Sequence, residues 1–518
     1  MNLKQKLWWA QHRTDVYNYG TILSLVLIVT ISIIYFTYSK FSSSNEMTMY
    51  ETTVEPFIKN DYFIASYIDG EWSNEIPGKN DGYIVDKIVC DNGATATWND
   101  EEWGINIRNA TKKIKCNVYF ETPLDIDVEL AQGMIPVKFD VSGNVVVADT
   151  NGEWYDYEAH EWANAVLVNC ADSTIKSKYF NDDMSLKSSV VGSAISMDEI
   201  MQMYVYIPRY KYQLFNAEDG TSVEQAINIT FESKTAAKST GTKNGEWLTH
   251  PAFTFDDKEL AGIWVGKFET SNTSSLPKIV PNVSSLINMN VLRAFSTSRL
   301  MTTTLVSTYG TSTNDDSHMM KNMEWGAVAY LSSSIYGRYA NPSTCIDSGC
   351  EVWINNNSSE ITGCAGSSVS ASEASTCNAW NTATGVNAST TGNIYGIYDM
   401  SGGAYEYIMG NYANYEGGSG FGSSMPEAKY YDKYTGTNSE SDFTKYHLGD
   451  ATKETLKTKS SGLNSWYGDC SYSIYAQMPW VLRGGGYSEG TRTGLFYFKY
   501  HYGSPYGGGS FRAVFTVL

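Results

Sequence analysis

The chain has 518 residues, too many for one compact core, so length alone implies two to four domains. Charged residues at 18 % and a net charge of −19 exclude a charge-saturated disordered chain and argue against a nucleic-acid backbone as partner. Aromatic residues reach 14 %, with 38 Tyr and 14 Trp, a composition that leans toward β structure.

In chain order the first feature is Gly20 to Tyr38, GTILSLVLIVTISIIYFTY, a run of 19 residues without a charge. At about 1.5 Å per residue it is long enough for a hydrocarbon layer of about 30 Å. Lys4, Lys6 and Arg13 precede it, and Glu46, Glu51 and Glu55 follow. The positive-inside rule then predicts residues 1–19 as a cytoplasmic tail, 20–38 as a single transmembrane span in the plasma membrane, and an extracellular C-terminal region. No small-residue cleavage site follows the run, which predicts an uncleaved signal anchor. A type IV prepilin leader is the alternative, but Leu25 stands where such a leader carries Glu.

Residues 39–55 read as a linker with a Ser-rich start. Residues 56–122 read as a small β domain, with alternating strands at Tyr83 to Val89 and Lys115 to Phe120 and turns at Asn80 to Gly82 and Asn92-Gly93. Residues 123–194 read as a separate β-rich linking unit around a hairpin at Ser142-Gly143-Asn144, followed by Trp154, Tyr155, Tyr157 and Trp162. All eight cysteines lie beyond the apolar run and none forms C-x-x-C, which removes the zinc and thioredoxin spacings. An extracellular setting permits disulfides, and proximity pairs Cys90 with Cys116, Cys345 with Cys350 and Cys364 with Cys377, although spacing does not fix connectivity.

From residue 195 the chain reads as one large head. Met203 to Phe215 is a strand pair broken at Pro208, and Leu260 to Glu269 is another strand. Ser317 to Leu331 has helical spacing at Met320, Met323, Ala327 and Leu331, which predicts an amphipathic helix capped by Asp316 or Ser317 and buried on one face. Ser343 to Thr391 is a Ser/Thr/Asn/Gly-rich insert with four cysteines, too long for a structureless loop unless disulfides tie it down.

The final stretch, Trp480 to Leu518, mixes two kinds of residue. Val481 to Arg483 and Phe511 to Leu518 look like strands. Between them stand Tyr487, Ser488, Thr491, Arg492, Tyr497, Tyr500, His501, Tyr502, Ser504, Tyr506, Gly507 and Gly508, a mixture that no hydrophobic core explains. Tyrosine supplies rigid contact area at low entropic cost and Gly/Ser supply adaptability, so these twelve are the candidate ligand-binding residues. A Gly/Tyr surface loop without a partner is the competing reading.

Six strings occur in one order: IPRYKYQLF, GIWVGKFET, EWGAVAYL, GIYDMSGGAYEY, VLRGGGYS and SFRAVF. Together they resemble the formylglycine-generating enzyme (sulfatase-modifying factor) family over residues 195–518. The resemblance implies an α+β, C-type-lectin-like head in which mixed sheets support long irregular loops. Enzymes of that family oxidise a substrate cysteine with a copper-bound cysteine pair near the C-terminus. Here Cys470 alone follows Cys377, the six histidines His12, His160, His250, His318, His447 and His501 are scattered, and no G-x-S-x-G elbow is present. No enzyme activity, catalytic residue, metal or cofactor is therefore expected.

Within that fold the chain resembles the variable proteins of diversity-generating retroelements, whose C-terminal region varies to bind diverse ligands. Mutation of adenines in their template codons yields Tyr, His, Ser, Thr, Gly, Arg, Phe, Leu or Pro but never Lys or Glu, and most of the candidate positions fit; Glu489 and Lys499 do not. The resemblance implies a surface protein that presents a Tyr/Gly-rich face to an extracellular protein or glycan, with a residual oxidase or a structural surface protein as alternatives.

Overall fold

A computed structural model describes the chain from Tyr62 to Leu518, apart from residues 69–70, 74–75, 80–82, 100, 109–113, 122–123, 153, 219, 340–348 and 423. The tail, the span at 20–38, the linker, the start of the small β domain and Cys345 lie outside the described residues. Among the described residues no helix is long and apolar enough to cross a membrane. The described residues divide into two compact units, one ending at Leu124 and the other running from Asp125 to Leu518.

The first unit contains β1 (Tyr62–Ile68), β2 (Glu71–Ser73), β3 (Ile84–Cys90), β4 (Thr95–Asn99), β5 (Gly104–Arg108) and β6 (Ile114–Glu121). Four strands form a sheet in the order β2-β1-β6-β3, and β4 with β5 makes a hairpin. The hairpin's Ala94, Ala96, Ile105 and Ile107 share one small core with Ile88, Cys90, Ile114 and Cys116 of the sheet. Cys90 and Cys116 sit opposite each other on β3 and β6 and are disulfide-bonded, which suits a unit with so little apolar surface to bury.

The second unit opens with β7 (Ile135–Phe139), β8 (Val145–Val147), β9 (Asn164–Val168), α1 (Ser173–Tyr179) and β10 (Ile200–Pro208). A three-stranded sheet follows, of β11 (Tyr210–Gln213), β12 (Ile229–Phe231) and β13 (Trp247–Thr249), then the short pair β14 (Thr254–Phe255) and β15 (Lys258–Glu259). Next come β16 (Gly262–Gly266), the hairpin of β17 (Ser271–Thr273) and β18 (Leu276–Lys278), α2 (Val291–Ser298), α3 (Val306–Tyr309), β19 (Asp316–Met319) and α4 (Asn322–Ser332). The chain ends with β20 (Cys364–Ala365), β21 (Asn378–Ala379), β22 (Tyr405–Tyr412), β23 (Asp432–Tyr434), β24 (Trp480–Arg483), β25 (Phe498–His501), β26 (Gly509–Phe511) and β27 (Ala513–Thr516). The architecture is α+β, with strands predominating over four short α-helices among the described residues.

An antiparallel sheet of seven strands runs β19-β27-β16-β10-β9-β7-β8. It therefore joins residues on both sides of position 195, and the expected linking unit at 123–194 belongs to the head. The reason is burial. All five residues of β9 are buried against β10, the Tyr157 hydroxyl donates to Tyr206 O at 2.9 Å, and Trp154 stacks on Trp264 at 6.3 Å. The interruption at Pro208 is as expected: β10 stops there, and Arg209, fully buried, donates to Glu232 (3.2 Å) and Glu259 (2.7 Å) before β11 begins.

The helix expected over 317–331 starts late. Asp316–Met319 pairs with the last strand, β27, a long-range contact that overrides local helical spacing. Lys321 then caps α4, and Glu324 accepts its backbone N–H at 2.8 Å. All eleven residues of α4 are buried, so the helix is enclosed rather than amphipathic.

In the Ser/Thr-rich insert, Cys364 and Cys377 are disulfide-bonded at the paired strands β20 and β21, and Cys350 is buried. Replacing both Cys364 and Cys377 with Ser is expected to cost about 2 to 3 kcal/mol, because the bridge closes a short loop in the unfolded chain. A denaturant midpoint unchanged from that of the parent protein would show that the insert is ordered without it.

Candidate functional site

The last sheet is mixed. β24 runs antiparallel to both β22 and β25, whereas β26 and β23 run parallel to β22 on its other side, beside residues 405–407 and 410–412. Two irregular segments hang from it, 484–497 between β24 and β25 and 502–508 between β25 and β26. Their supports are buried: Trp480, Val481, Leu482 and Arg483 of β24, and Phe511 beyond the second segment. Arg483 donates to the carbonyls of Ala451 (3.1 Å) and Leu495 (3.4 Å), and Arg512 pairs with Glu406 at 2.5 Å.

Glycine is required at two points. A Cβ on Gly486 would lie 2.6 Å from the Tyr405 ring, and Gly503, at φ +90°, would bring one within 2.4 Å of Trp480. Backbone bonds then fix the second segment: Gly418 N–H donates to Tyr502 O (2.7 Å), Val291 N–H to Gly503 O (3.2 Å), and Asn288 N–H to Tyr506 O (3.0 Å).

Eleven of the twelve candidate residues reach the surface in part or in full. Ser488, Thr491, Arg492, Tyr502 and Gly507 are exposed, and Tyr487, Tyr500, His501, Ser504, Tyr506 and Gly508 are half-buried. Tyr497 is the exception. It is 0 % exposed, its ring lies 6.0 Å from that of Tyr405, and it belongs to the frame. The run from Thr493 to Phe498 is buried throughout, so alternation cannot turn one of its aromatics outward.

The half-buried aromatics fall into two groups. Tyr500 packs edge-on against Tyr472 (5.7 Å) and Tyr475 (5.1 Å), on the same side of β25 as Phe498. His501 lies on the other side, 5.1 Å from Tyr506, with the Tyr407 hydroxyl 2.5 Å from its Nδ1. Gly503 N–H also donates to that Nδ1 (3.2 Å), which leaves Nε2 as the protonated nitrogen. Burial first, and Lys499 second, lower the His501 pKa to about 4, so the imidazole is neutral near pH 7.

Around Tyr506 the structure adds residues that the C-terminal composition did not single out. Tyr405 lies 5.5 Å from Tyr506, and Glu489 faces Tyr405, Tyr497 and Tyr506. Tyr405 is legible only through the alternation of β22, which puts Tyr405 and Tyr407 on one side and Glu406 on the other.

The grooves of about 730 Å³ elsewhere in the unit, one beside Lys178, Lys278 and Trp380 and another beside Lys176, Asp182 and Lys187, contain none of the candidate residues. Among the described residues no group of three or more His, Cys, Asp or Glu could hold a metal ion. The free thiols Cys170 and Cys470 are both buried, and burial pushes each pKa up to about 11, which keeps them protonated. No known protein family matches the chain, and no curated protein is similar to it.

Proposed function

We propose that the chain is a membrane-anchored surface protein that binds an extracellular ligand through its C-terminal face. In this reading the second unit is a C-type-lectin-like head, the segment Gly20 to Tyr38 is the anchor, and the face is diversified as in the variable proteins of retroelements. The observation that carries it is the placement of Tyr487, Arg492, Tyr500, His501, Tyr502 and Tyr506, all exposed or half-buried, on β25 and on the two irregular segments that hang from the mixed sheet. Large aromatic and Arg side chains on a fixed support are the composition of binding hot spots. A mixed sheet bearing long irregular segments also supports the lectin-like assignment, and the predominance of Tyr, Ser, Thr, Gly, His and Arg at these positions supports diversification.

The test is a screen of the full chain, in lipid nanodiscs, against arrays of extracellular proteins and glycans. The variants Tyr502→Ala and Arg492→Ala are expected to weaken a captured ligand by about 30-fold each, because a hot spot is worth about 2 kcal/mol. Their melting should stay near that of the parent, since exposed substitutions lie within about 0.5 kcal/mol. Ligands that bind both variants as well as the parent would overturn the assignment of the face.

A further inference from the structure

The mixed sheet ends at β25, in the order β23-β22-β24-β25, so one edge of that strand faces away from the sheet. Phe498 shows which backbone groups point there. Its N–H donates to Cys470 O at 2.9 Å and its C=O accepts from Tyr472 N–H at 3.0 Å, both outside the sheet. Antiparallel pairing alternates hydrogen-bonded and non-bonded residue pairs. With Arg483 opposite Phe498 and Val481 opposite Tyr500, the N–H and C=O of Tyr500 therefore point to the same outer edge as those of Phe498. Neither group has a hydrogen-bond partner among the described residues.

The segment that covers Phe498 turns away before it reaches Tyr500. Ser471 is bridged parallel to Phe498, but Ser473 N–H donates to Glu440 O (2.8 Å) and Ile474 N–H to the Tyr446 hydroxyl (3.3 Å), which carries the chain off the edge. Tyr472, Tyr475 and Tyr500 are all half-buried, and the rings of Tyr472 and Tyr475 lie 5.7 and 5.1 Å from that of Tyr500. A free donor and a free acceptor thus belong to a residue that reaches the surface beside two other tyrosines, on the strand that carries part of the ligand face.

We propose that the outer edge of β25 at Tyr500 binds an extended polypeptide segment of a protein ligand, added as one more strand of the mixed sheet. The proposal rests on the reading of the C-terminal face as a ligand surface and names the class of ligand that face takes. Unpaired edge groups are a template for another chain, and addition of a strand is a recurring mode of peptide recognition. The protein's own segment already forms the preceding rung: Cys470 O and Tyr472 N–H hold Phe498 as a ligand's groups would hold Tyr500. The tyrosines supply rigid contact area to the ligand residues on either side of the new rung. A saccharide ring also packs on tyrosine, but it does not repeat a donor and an acceptor at the strand spacing. The open edge is short, because the carbonyl of Tyr502 is already taken by Gly418 N–H (2.7 Å). It therefore admits a brief segment and offers no long template for stacking copies of the chain.

The test pans a phage library of linear dodecapeptides on the full chain in nanodiscs of neutral lipid, and the tightest binders are synthesised. Methylating one backbone nitrogen of such a peptide is expected to weaken binding about tenfold, the scale of one hydrogen bond. Methylating the nitrogen on either side should change it little, because those N–H groups point away from the edge. Replacing Tyr500 with p-hydroxyphenyllactic acid, which keeps the ring and removes only the N–H, should cost a similar factor, and Tyr500→Pro at least as much. Tyr500→Phe, which keeps both backbone groups, should bind nearly as well as the parent. Peptides that bind the parent and the ester form equally would overturn strand addition. Should neither N–H-deleting variant fold, the N-methyl scan on the parent protein decides in the same way. Two results would overturn the edge and leave the face intact: peptides that need Tyr502 and Arg492 but no particular backbone N–H, or glycans that need those side chains while the library yields no binder. Peptides that need the Tyr500 N–H but ignore Tyr502→Ala and Arg492→Ala would uphold the edge and count against the wider face.

Discussion

Arg512→Met is expected to destabilise the second unit by about 3 to 5 kcal/mol, the loss that follows when one partner of a buried ion pair is removed. Arg512 is 0 % exposed and stands between β26, in the mixed sheet, and β27, in the antiparallel one. Its Nε and Nη2 donate to Glu406 at 3.1 and 2.5 Å, its Nη1 donates to Gly266 O at 2.7 Å, and its Nη2 also donates to Tyr398 O at 2.9 Å. One guanidinium thus ties β22, β16 and the turn before β22 together. Without it, Glu406 stays buried beside Asp399, and Glu269 faces both carboxylates; burial and mutual repulsion already raise the Glu269 pKa. Glu406→Gln should cost less, because the amide oxygen still accepts from Arg512 and the repulsion is relieved. Denaturant unfolding at pH 7 compares the two, and equal losses would show that the charge of the pair contributes nothing beyond its hydrogen bonds.

This arginine also marks how far the sequence alone reaches. SFRAVF places Arg512 between two strand-like runs, and a buried arginine there needs acceptors, so a carbonyl or acidic partner is legible before any coordinates. The break at Pro208 and the bridges Cys90–Cys116 and Cys364–Cys377 are legible for the same reason: each rests on chemistry within a few dozen residues. What escapes is pairing across the chain. DSHM forms a strand because β27 lies beside it, almost 200 residues away in sequence, and nothing local in those four residues announces it. The aromatics Trp154, Tyr157 and Trp162 read as a separate unit because their covering partners, Trp264 and Tyr206 among them, come later. Tyr497 fails for a different reason. In TGLFYF every second residue is not polar, so no pattern separates an inward tyrosine from an outward one, and the glycine-rich neighbourhood suggests exposure where the fold provides a wall.

Stability of the second unit is expected to fall by about 2 kcal/mol between pH 6.5 and 8, against the usual expectation for a protein rich in carboxylates. Three buried acids carry the effect. Burial pushes Glu454 up to about 7 even though Tyr212, Tyr330 and the Gly449 N–H all donate to it. Burial likewise takes Glu406 up to about 7 against the pull of Arg512, and Glu351 up to about 8 against that of Arg338. A raised carboxyl is protonated in the folded state at a pH where the unfolded chain has already released its proton. The folded state therefore binds more protons between pH 4.5 and the raised value, and its advantage is lost as pH rises through that value. His250, held neutral by burial with a pKa of about 3, and His501 at about 4 act in the opposite sense, an effect that fades as pH passes their ordinary pKa of 6.5. Asp316, lowered to about 2 despite burial by His318 and Arg299, changes only at lower pH. His318, raised by Glu324 and Asp316 against burial, has the same sign as the three acids. Above pH 6.5 His250 and His501 oppose the acids by less than about 1 kcal/mol together, because half of the unfolded imidazoles are still protonated there, and Lys267, whose pKa burial lowers, acts in the same opposing sense. Denaturant unfolding at pH 6.5, 7.2 and 8 reads the slope, and Glu351→Gln with Glu454→Gln should flatten most of it. A parent protein whose stability held level or rose across that interval would mean that these carboxyls are ionised in the fold, held so by partners such as Arg512 and Arg338.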